Sequence, residues 1–314
     1  MKRIKIIIVG VGILTVITLI INSFQGIVMG SQEPEGEAPQ EIQNILSFDL
    51  PDTLYFAGER VPIENFDTRE SLDRELNTNA YRHSSTILLI KRANRYFPII
   101  EPILEANGVP DDFKYIAVAE SELSNVVSPA RATGFWQFMS NTGKEYGLEI
   151  NNEVDERYHL EKSTEAACKY FLKSYDKYKD WTMVAASYNR GSNGVDQQVN
   201  IQGENNYYDL LLPEETARYV FRILSFKVIF SDPVKYGFDI PADHLYPEVL
   251  YDIVKVDSAV TSFADFAKQY GTNYKILKAF NPWLRQPYLT NKQGKSYDIK
   301  VPVEGVRTSA YREL

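Results

Sequence analysis

The sequence predicts a mainly α protein, an all-α body over residues 70–240 followed by a small β-α-α-β unit over residues 250–303. Three observations carry that expectation. Apolar residues recur at helical spacing from about Glu70 to Phe230, and no alternating stretch interrupts them. Within this region Glu215 to Phe230 is apolar on two faces, with Ala217, Val220, Phe221 and Leu224 on one and Tyr219, Ile223 and Phe226 on the other, the pattern of a central, buried helix. After Pro241 the composition shifts: Tyr251 to Val256 and Tyr297 to Val301 alternate as short strands, with helical stretches at Ser262 to Tyr270 and Tyr274 to Asn281 between them. A chain of 314 residues is long enough for two folded units.

Before the body, residues 1–29 read as a signal peptide or membrane anchor. Lys2, Arg3 and Lys5 precede an uncharged run from Ile6 to Ile21, short for a span unless Phe24, Ile27, Val28 and Met29 extend it. No Ala-x-Ala site and no lipid-accepting cysteine follows it, so cleavage and anchoring both stay open. Either way the remainder is exported, to the periplasm or cell envelope, and an uncleaved segment makes the membrane a partner. Residues 30–69 read as an acidic linker and extended segment, rich in Glu, Gln, Gly and Pro at first. A short extended stretch from Thr53 to Phe56 follows, expected to pack on the body.

In the body, Leu72 and Leu76, then Ile87, Leu88 and Ile90, then Ile99, Ile100, Ile103 and Leu104 mark the first helices, with Pro98 and Pro110 as punctuation. Asp180 is placed to cap a helix in which Trp181, Val184, Ala185 and Tyr188 share a face, stopped by Gly191.

Composition excludes several functions. A net charge of −8 and the lack of a basic run in the mature region argue against a nucleic-acid partner. The three histidines show no ligand spacing, the lone Cys168 reads as core filler, and neither a phosphate-cradling glycine loop nor a Gly-x-Ser-x-Gly elbow is present. No metal or cofactor is implied.

Carboxylate chemistry remains. If Asp112 to Leu123 is a helix, Phe113, Ile116 and Ala117 form an apolar stripe, and Glu120 falls on that same face. Glu122 lies about 200° further round, toward water. A carboxyl held against apolar neighbours is desolvated, keeps its proton nearer neutrality and can act as a general acid. An inert glutamate at a fraying helix end is the alternative. With Gln137, Tyr188, Asn189 and Tyr219 as hydrogen-bonding groups, the inventory fits glycosidic bond cleavage.

Four segments in order, Glu120-Ser121, Gly134-Phe-Trp-Gln137-Phe-Met139, Ala186-Ser-Tyr188-Asn189-Arg-Gly191 and Glu215-Thr-Ala-Arg-Tyr219-Val, resemble the lytic transglycosylase catalytic domain, most closely its membrane-bound D type. That resemblance implies a lysozyme-like (goose-type) all-α domain acting on peptidoglycan glycan strands. Glu120 is then the single catalytic acid and base, cleaving the MurNAc-β-1,4-GlcNAc bond without water to leave 1,6-anhydro-MurNAc ends. It further implies substrate contacts from Ser121, Ser128, Gln137, Met139, Tyr188, Asn189 and Tyr219, the last bonding the catalytic carboxylate. A helix-end cap is the alternative for Ser121, and a plain core role the alternative for Met139. Glu122 stands where relatives commonly have glycine. The C-terminal unit resembles LysM through Val254-Lys-Val256, Phe266-Ala267, Leu277-x-x-x-Asn281-Pro282 and Ile299-x-Val301-Pro302, although Asp257-Ser-Ala-Val-Thr-Ser262 replaces the usual Gly-Asp-Thr-Leu start. Two other readings stay open: a hydrolytic muramidase using a second carboxylate among Asp155, Glu145 and Glu122, and a non-catalytic peptidoglycan-binding protein.

Overall fold

Strand β1 (Tyr55–Phe56) turns into β2 (Glu59–Arg60) through Ala57 and Gly58, both at positive φ (52° and 83°), the backbone that suits a tight hairpin. The structure, a computed structural model, describes residues 47–309, so the expected N-terminal segment and the tether up to Asn44 lie outside the described residues. The extended stretch expected at Thr53 to Phe56 packs on the body: Leu54 and Phe56 are buried in the main core, with Phe56 on Phe113 at 5.5 Å between ring centroids, and the burial continues through Val61 and Ile63.

Helices α1 (Phe66–Tyr81) and α2 (His83–Ala106) follow. Pro98 does not punctuate: α2 runs through both Pro98 and Pro102. The two prolines lie one turn apart on the exposed side, together with Asn94, so the carbonyls deprived of a donor face water instead of the core. A 3-10 turn (Asp111–Phe113) leads into the short helix α3 (Lys114–Ser121). Next come α4 (Ser140–Glu145), α5 (Leu160–Tyr178), α6 (Trp181–Arg190), α7 (Ser192–Gln202) and α8 (Glu214–Ser231). As expected, Asp180 caps α6, accepting from the Met183 N–H at 2.7 Å, and Gly191 stops it at φ 79°. Helix α8 is the central one. It packs against α1, α3 and α6, and Val220, Ile223, Leu224 and Ile229 have no exposed surface.

The small hairpin also anchors α6. The Glu59 carboxylate accepts from the Trp181 N–H at 2.6 Å and the Thr182 N–H at 2.9 Å, satisfying donors that a helix N-terminus leaves free. This ties the start of the helix that ends in Tyr188 and Asn189 to a segment more than a hundred residues upstream.

The C-terminal unit has the expected elements: β3 (Tyr251–Val256), α9 (Phe263–Gln269), α10 (Tyr274–Phe280) and β4 (Tyr297–Pro302), with β3 and β4 antiparallel and Tyr251 opposite Pro302. Ser262 and Asn273 cap its helices, accepting from Asp265 and Ile276 N–H groups. A last turn, α11 (Val306–Ser309), follows. The unit is not separate. The loop before α5 enters it: Val154 is 1 % exposed and sits in the second apolar cluster with Phe263, Leu277 and Ile299. Backbone bonds from Asp155 N to Trp283 O (2.9 Å) and from Arg285 N to Glu153 O (2.7 Å) extend the seam. A strand-like pairing formed from two loops has no periodic signature in sequence.

Candidate active site

Helix α3 is only eight residues long, and packing rather than propensity holds it. Phe113, Ile116 and Ala117 have no exposed surface, and Phe113 meets Phe171 and Trp181 edge-on at 4.6 and 5.1 Å. Burial of one such phenylalanine contributes roughly 1.5–3 kcal/mol. At the far end of the same face stands Glu120, half-buried. Desolvation pushes its carboxyl up to about 7. The Tyr219 hydrogen bond and the Arg222 guanidinium oppose that rise, while Glu215 adds to it. The Tyr219 hydroxyl donates to Glu120 Oε1 at 2.6 Å, and Tyr219 is itself 2 % exposed in the middle of α8.

The chain leaves α3 through two consecutive left-handed residues, Glu122 (φ 53°) and Leu123 (φ 52°). A left-handed helix end favours glycine, and Glu122 stands there instead. Here burial of Leu123 at 1 % exposure and a bond from Arg92 Nη1 to the Glu122 carbonyl (2.8 Å) hold the strained turn. The Glu122 side chain points outward, 3.1 Å from Arg82 and 46 % exposed, as expected, although the left-handed turn and not a continuing helix sets its direction.

The loop that returns to Gly134 is pinned from below. Gly134 N–H donates to Val126 O (3.0 Å), and Gln137 Nε2 donates to Val126 O (3.1 Å) and Gly134 O (2.7 Å). Gln137, at φ 47°, therefore spends its amide N–H groups on the loop and keeps its carbonyl oxygen for other contacts. Ser128 Oγ accepts from Ala132 N–H at 3.0 Å, leaving its own proton to donate elsewhere.

Ser121 and Met139 each carry an alternative reading, and their burial bears on both. Ser121 is 4 % exposed, and its hydroxyl lies between the Ala117 and Phe135 carbonyls (3.0 and 2.8 Å) while facing the Ser124 N–H at 3.4 Å. It braces the helix end against the Gly134 loop, and no face remains for substrate. Met139 is 46 % exposed at the start of α4, so the core alternative for it does not hold. Tyr188 is half-buried against Tyr170 and Phe171, with its hydroxyl donating to Trp136 O at 2.6 Å. Burial, reinforced by the nearby Glu120 charge, drives its phenol far above the ordinary tyrosine range. Asn189 Oδ1 accepts from Thr216 Oγ1 at 2.9 Å, which leaves its N–H groups to donate.

Sequence reasoning missed three residues. Arg222 and Glu215 flank Glu120 electrostatically from α8, one turn to either side of Tyr219, and that i±3/i±4 spacing was the available signal. Glu75, 1 % exposed on α1, draws Arg218 to 2.6 Å and Arg222 to 3.8 Å, tempering the guanidinium beside the acid. The three carboxylates considered as a second catalytic group are all engaged. Asp155 is clamped by Arg157 at 2.7 Å, Glu145 is 2.8 Å from Lys173, and Glu122 is paired with Arg82. Among the described residues no group of three or more His, Cys, Asp or Glu side chains could hold a metal ion.

Comparison with known proteins points the same way. Residues 97–211 match the Transglycosylase SLT domain, and residues 252–305 match the soluble lytic transglycosylase C-terminal LysM-like domain. The membrane-bound lytic murein transglycosylase D of Escherichia coli K12 is 27 % identical over 240 residues, which cover 73 % of this chain and 51 % of that protein. The protein of the same description from Escherichia coli O6:H1 gives the same figures. The chain thus spans about half the length of the curated relatives it matches. It carries a transglycosylase SLT domain, which contributes Glu120, Gln137 and Asn189, followed by a C-terminal LysM-like domain of the soluble lytic transglycosylase kind.

Proposed function

We propose that this protein is a peptidoglycan lytic transglycosylase that cuts the MurNAc-β-1,4-GlcNAc bond without water, with Glu120 as both acid and base. The observation that carries the proposal is the half-buried Glu120 carboxyl, kept protonated near neutrality by desolvation and oriented by the Tyr219 hydroxyl at 2.6 Å. The protonated carboxyl donates to the glycosidic oxygen as the bond to the anomeric carbon breaks. The resulting carboxylate takes the proton of the muramoyl C6 hydroxyl as that oxygen attacks the same carbon. Proton out and proton in use one group in turn, so a second carboxylate is not required. Attack from within the same sugar also has a proximity advantage over a bound water. Gln137 offers an acceptor to the sugars; Asn189 and Ser128 offer donors; Tyr188 walls the cleft. We assign the protein to the cell envelope, attached to or released from the membrane according to the fate of residues 1–29.

The test is product chemistry. Full-length protein acting on purified peptidoglycan is expected to release muropeptides lighter by one water than reducing ones, read by mass spectrometry. Reducing ends would make the enzyme a hydrolase. The carboxylate to pursue would then be Glu215, exposed on α8 and within electrostatic reach of Glu120, rather than Asp155, Glu145 or Glu122.

Tyr219→Phe separates orientation from protonation. Its hydrogen bond lowers the Glu120 pKa, so losing it moves the alkaline limb of the pH–rate profile upward while slowing turnover about tenfold, as expected for one lost bond to a charged group. A slower enzyme with an unmoved limb would mean that Tyr219 orients Glu120 without tuning it.

A further inference from the structure

One short segment, residues 149–157, touches both the C-terminal unit and the loop of the Glu120 cleft. On one side it is built into the C-terminal unit. Val154 pairs with Leu284 across a β-bridge and shares its apolar cluster. The Glu153 carboxylate accepts from the Thr290 N–H at 2.7 Å, and the Asp155 N–H donates to the Trp283 carbonyl at 2.9 Å. On the other side the same segment presents Arg157. Its Nε and Nη2 fork onto the Asp155 carboxylate at 2.9 and 2.7 Å. Its Nη1 donates to the Arg131 and Phe138 carbonyls, both at 3.2 Å. The two side chains of the fork are 11 % and 10 % exposed, so water competes little for these bonds.

The two carbonyls that Nη1 holds belong to the two arms of the cleft loop. Between them Thr133 forms β-bridges with both Val127 and Phe138, so the arm that carries Ser128 and the arm that carries Gln137 move together. The loop also contains two strained residues, Arg131 at φ 67° and Gln137 at φ 47°. A left-handed backbone without glycine persists only where the surroundings hold it. Arg157 holds it from both arms at once. A guanidinium suits that task, because its donors form a rigid planar fork: once Asp155 fixes the plane, the direction of Nη1 is fixed as well. Asp155 is fixed in turn by its backbone bond to Trp283. The series from the C-terminal unit to the loop is therefore unbroken, and every link is at hydrogen-bond distance.

We propose that Arg157 is a positioning residue through which the C-terminal unit sets the glycan-facing loop of the Glu120 cleft. The proposal rests on the glycan-cleaving reading of that cleft, and it needs no contact between glycan and the C-terminal unit. Glu120 and Tyr219 lie outside the loop, on α3 and α8, and the Ser121 bond to the Phe135 carbonyl keeps the middle of the loop on α3. Loosening the two arms therefore weakens the grip on substrate and leaves the proton transfer as it is.

The test uses full-length protein in detergent and a soluble tetrasaccharide of alternating GlcNAc and MurNAc. Arg157→Lys keeps the charge but loses the fork. It is expected to raise KM about tenfold with kcat unchanged, the mark of binding that ground and transition states share. Leu284→Ala opens a hole inside the C-terminal unit and is expected to raise KM in the same direction, about threefold, again with kcat unchanged. Val154→Ala takes its place if that variant does not fold. A merely structural role would lower the active fraction, and with it the apparent kcat, while KM stayed put. That result, or a KM that Leu284→Ala does not move, overturns the proposal. Amide hydrogen exchange read by mass spectrometry needs no turnover and keeps the two readings apart. Both variants are expected to exchange faster over residues 126–138, with α3 unchanged. Faster exchange there in a protein whose parent gives no anhydro products preserves the brace and removes the lytic reading. Anhydro products with KM and exchange unmoved in both variants do the reverse.

Discussion

If Glu120 acts as proposed, Glu120→Gln is expected to lower anhydro-muropeptide release by at least about 1,000-fold, toward the upper end of what a positioned general acid contributes, because in that mechanism one group serves in both halves of the reaction. Glutamine has the same shape and keeps an acceptor for the Tyr219 hydroxyl, so the loss reports the proton and not the packing. Stability should move in the opposite direction, and only at high pH. Burial raises this carboxyl to about 7 from an ordinary value of 4.5. Below 4.5 folded and unfolded chains both hold the proton, and the group has no effect on folding. As the pH rises toward 7 the unfolded chain ionises while the folded one does not, and the native state loses stability progressively. Above that point the full penalty is present, on the order of 3 kcal/mol. Glutamine removes it. The variant should therefore melt several degrees above the parent at pH 8 and together with it at pH 4, measured by thermal denaturation. Equal melting at both pH values in an inactive variant would mean that the carboxylate is solvated and that desolvation is not what prepares it.

What was legible in the sequence follows from which signals are local. Glu120 could be read because a short helix puts Ile116, Ala117 and Glu120 on one face by its period alone, with Phe113 continuing that face from the turn before it. Tyr219 could be placed on a buried helix for the same reason. The Asp180 cap, the Gly191 stop and the β3-α9-α10-β4 order are likewise short-range patterns. Long-range pairings had no such signal. Nothing in the stretch from Tyr55 to Arg60 says that Glu59 will cap α6, and nothing near Val154 says that it will enter the core of another unit. The continuation of α2 through two prolines depends on which side of the helix meets water, which a proline rule cannot supply. For Ser121 the resemblance implies a substrate contact and the helix position a local role; the Phe135 carbonyl, fourteen residues on, supports the local one, and that pairing has no signal in sequence.

Gly134→Ala is the second large effect, and it tests how the cleft loop is built. Gly134 sits at φ 84°, and a Cβ there would fall 1.9 Å from the Arg157 carbonyl oxygen and 2.8 Å from its carbon. Both atoms are backbone, so no rotamer change relieves the overlap. Nor can Arg157 move freely: its guanidinium is held by Asp155 (2.9 and 2.7 Å) and donates to the Arg131 and Phe138 carbonyls, both at 3.2 Å. The loop must therefore lift away from the start of α5. In doing so it strains or breaks the Gly134–Val126 bond, the Gln137 amide contacts, the Ser121–Phe135 brace and the Tyr188–Trp136 bond. The left-handed backbone adds its own cost for any residue with a side chain. Together these predict a destabilisation of about 3–5 kcal/mol, read as a shifted denaturant midpoint with an unchanged slope. Activity per folded molecule should fall as well, because Gln137 and Met139 ride on the displaced loop. Gly203→Ala is the control. It sits in the left-handed region at φ 74° and ψ 13° with nothing within 4 Å of the added methyl, so it carries the backbone cost alone, about 1–2 kcal/mol. If the two variants lose equal stability, the close approach of Arg157 to Gly134 is not what fixes the loop. If Gly134→Ala loses far more, the tight seat on Arg157 is what forces glycine at the head of the Gly-Phe-Trp-Gln segment.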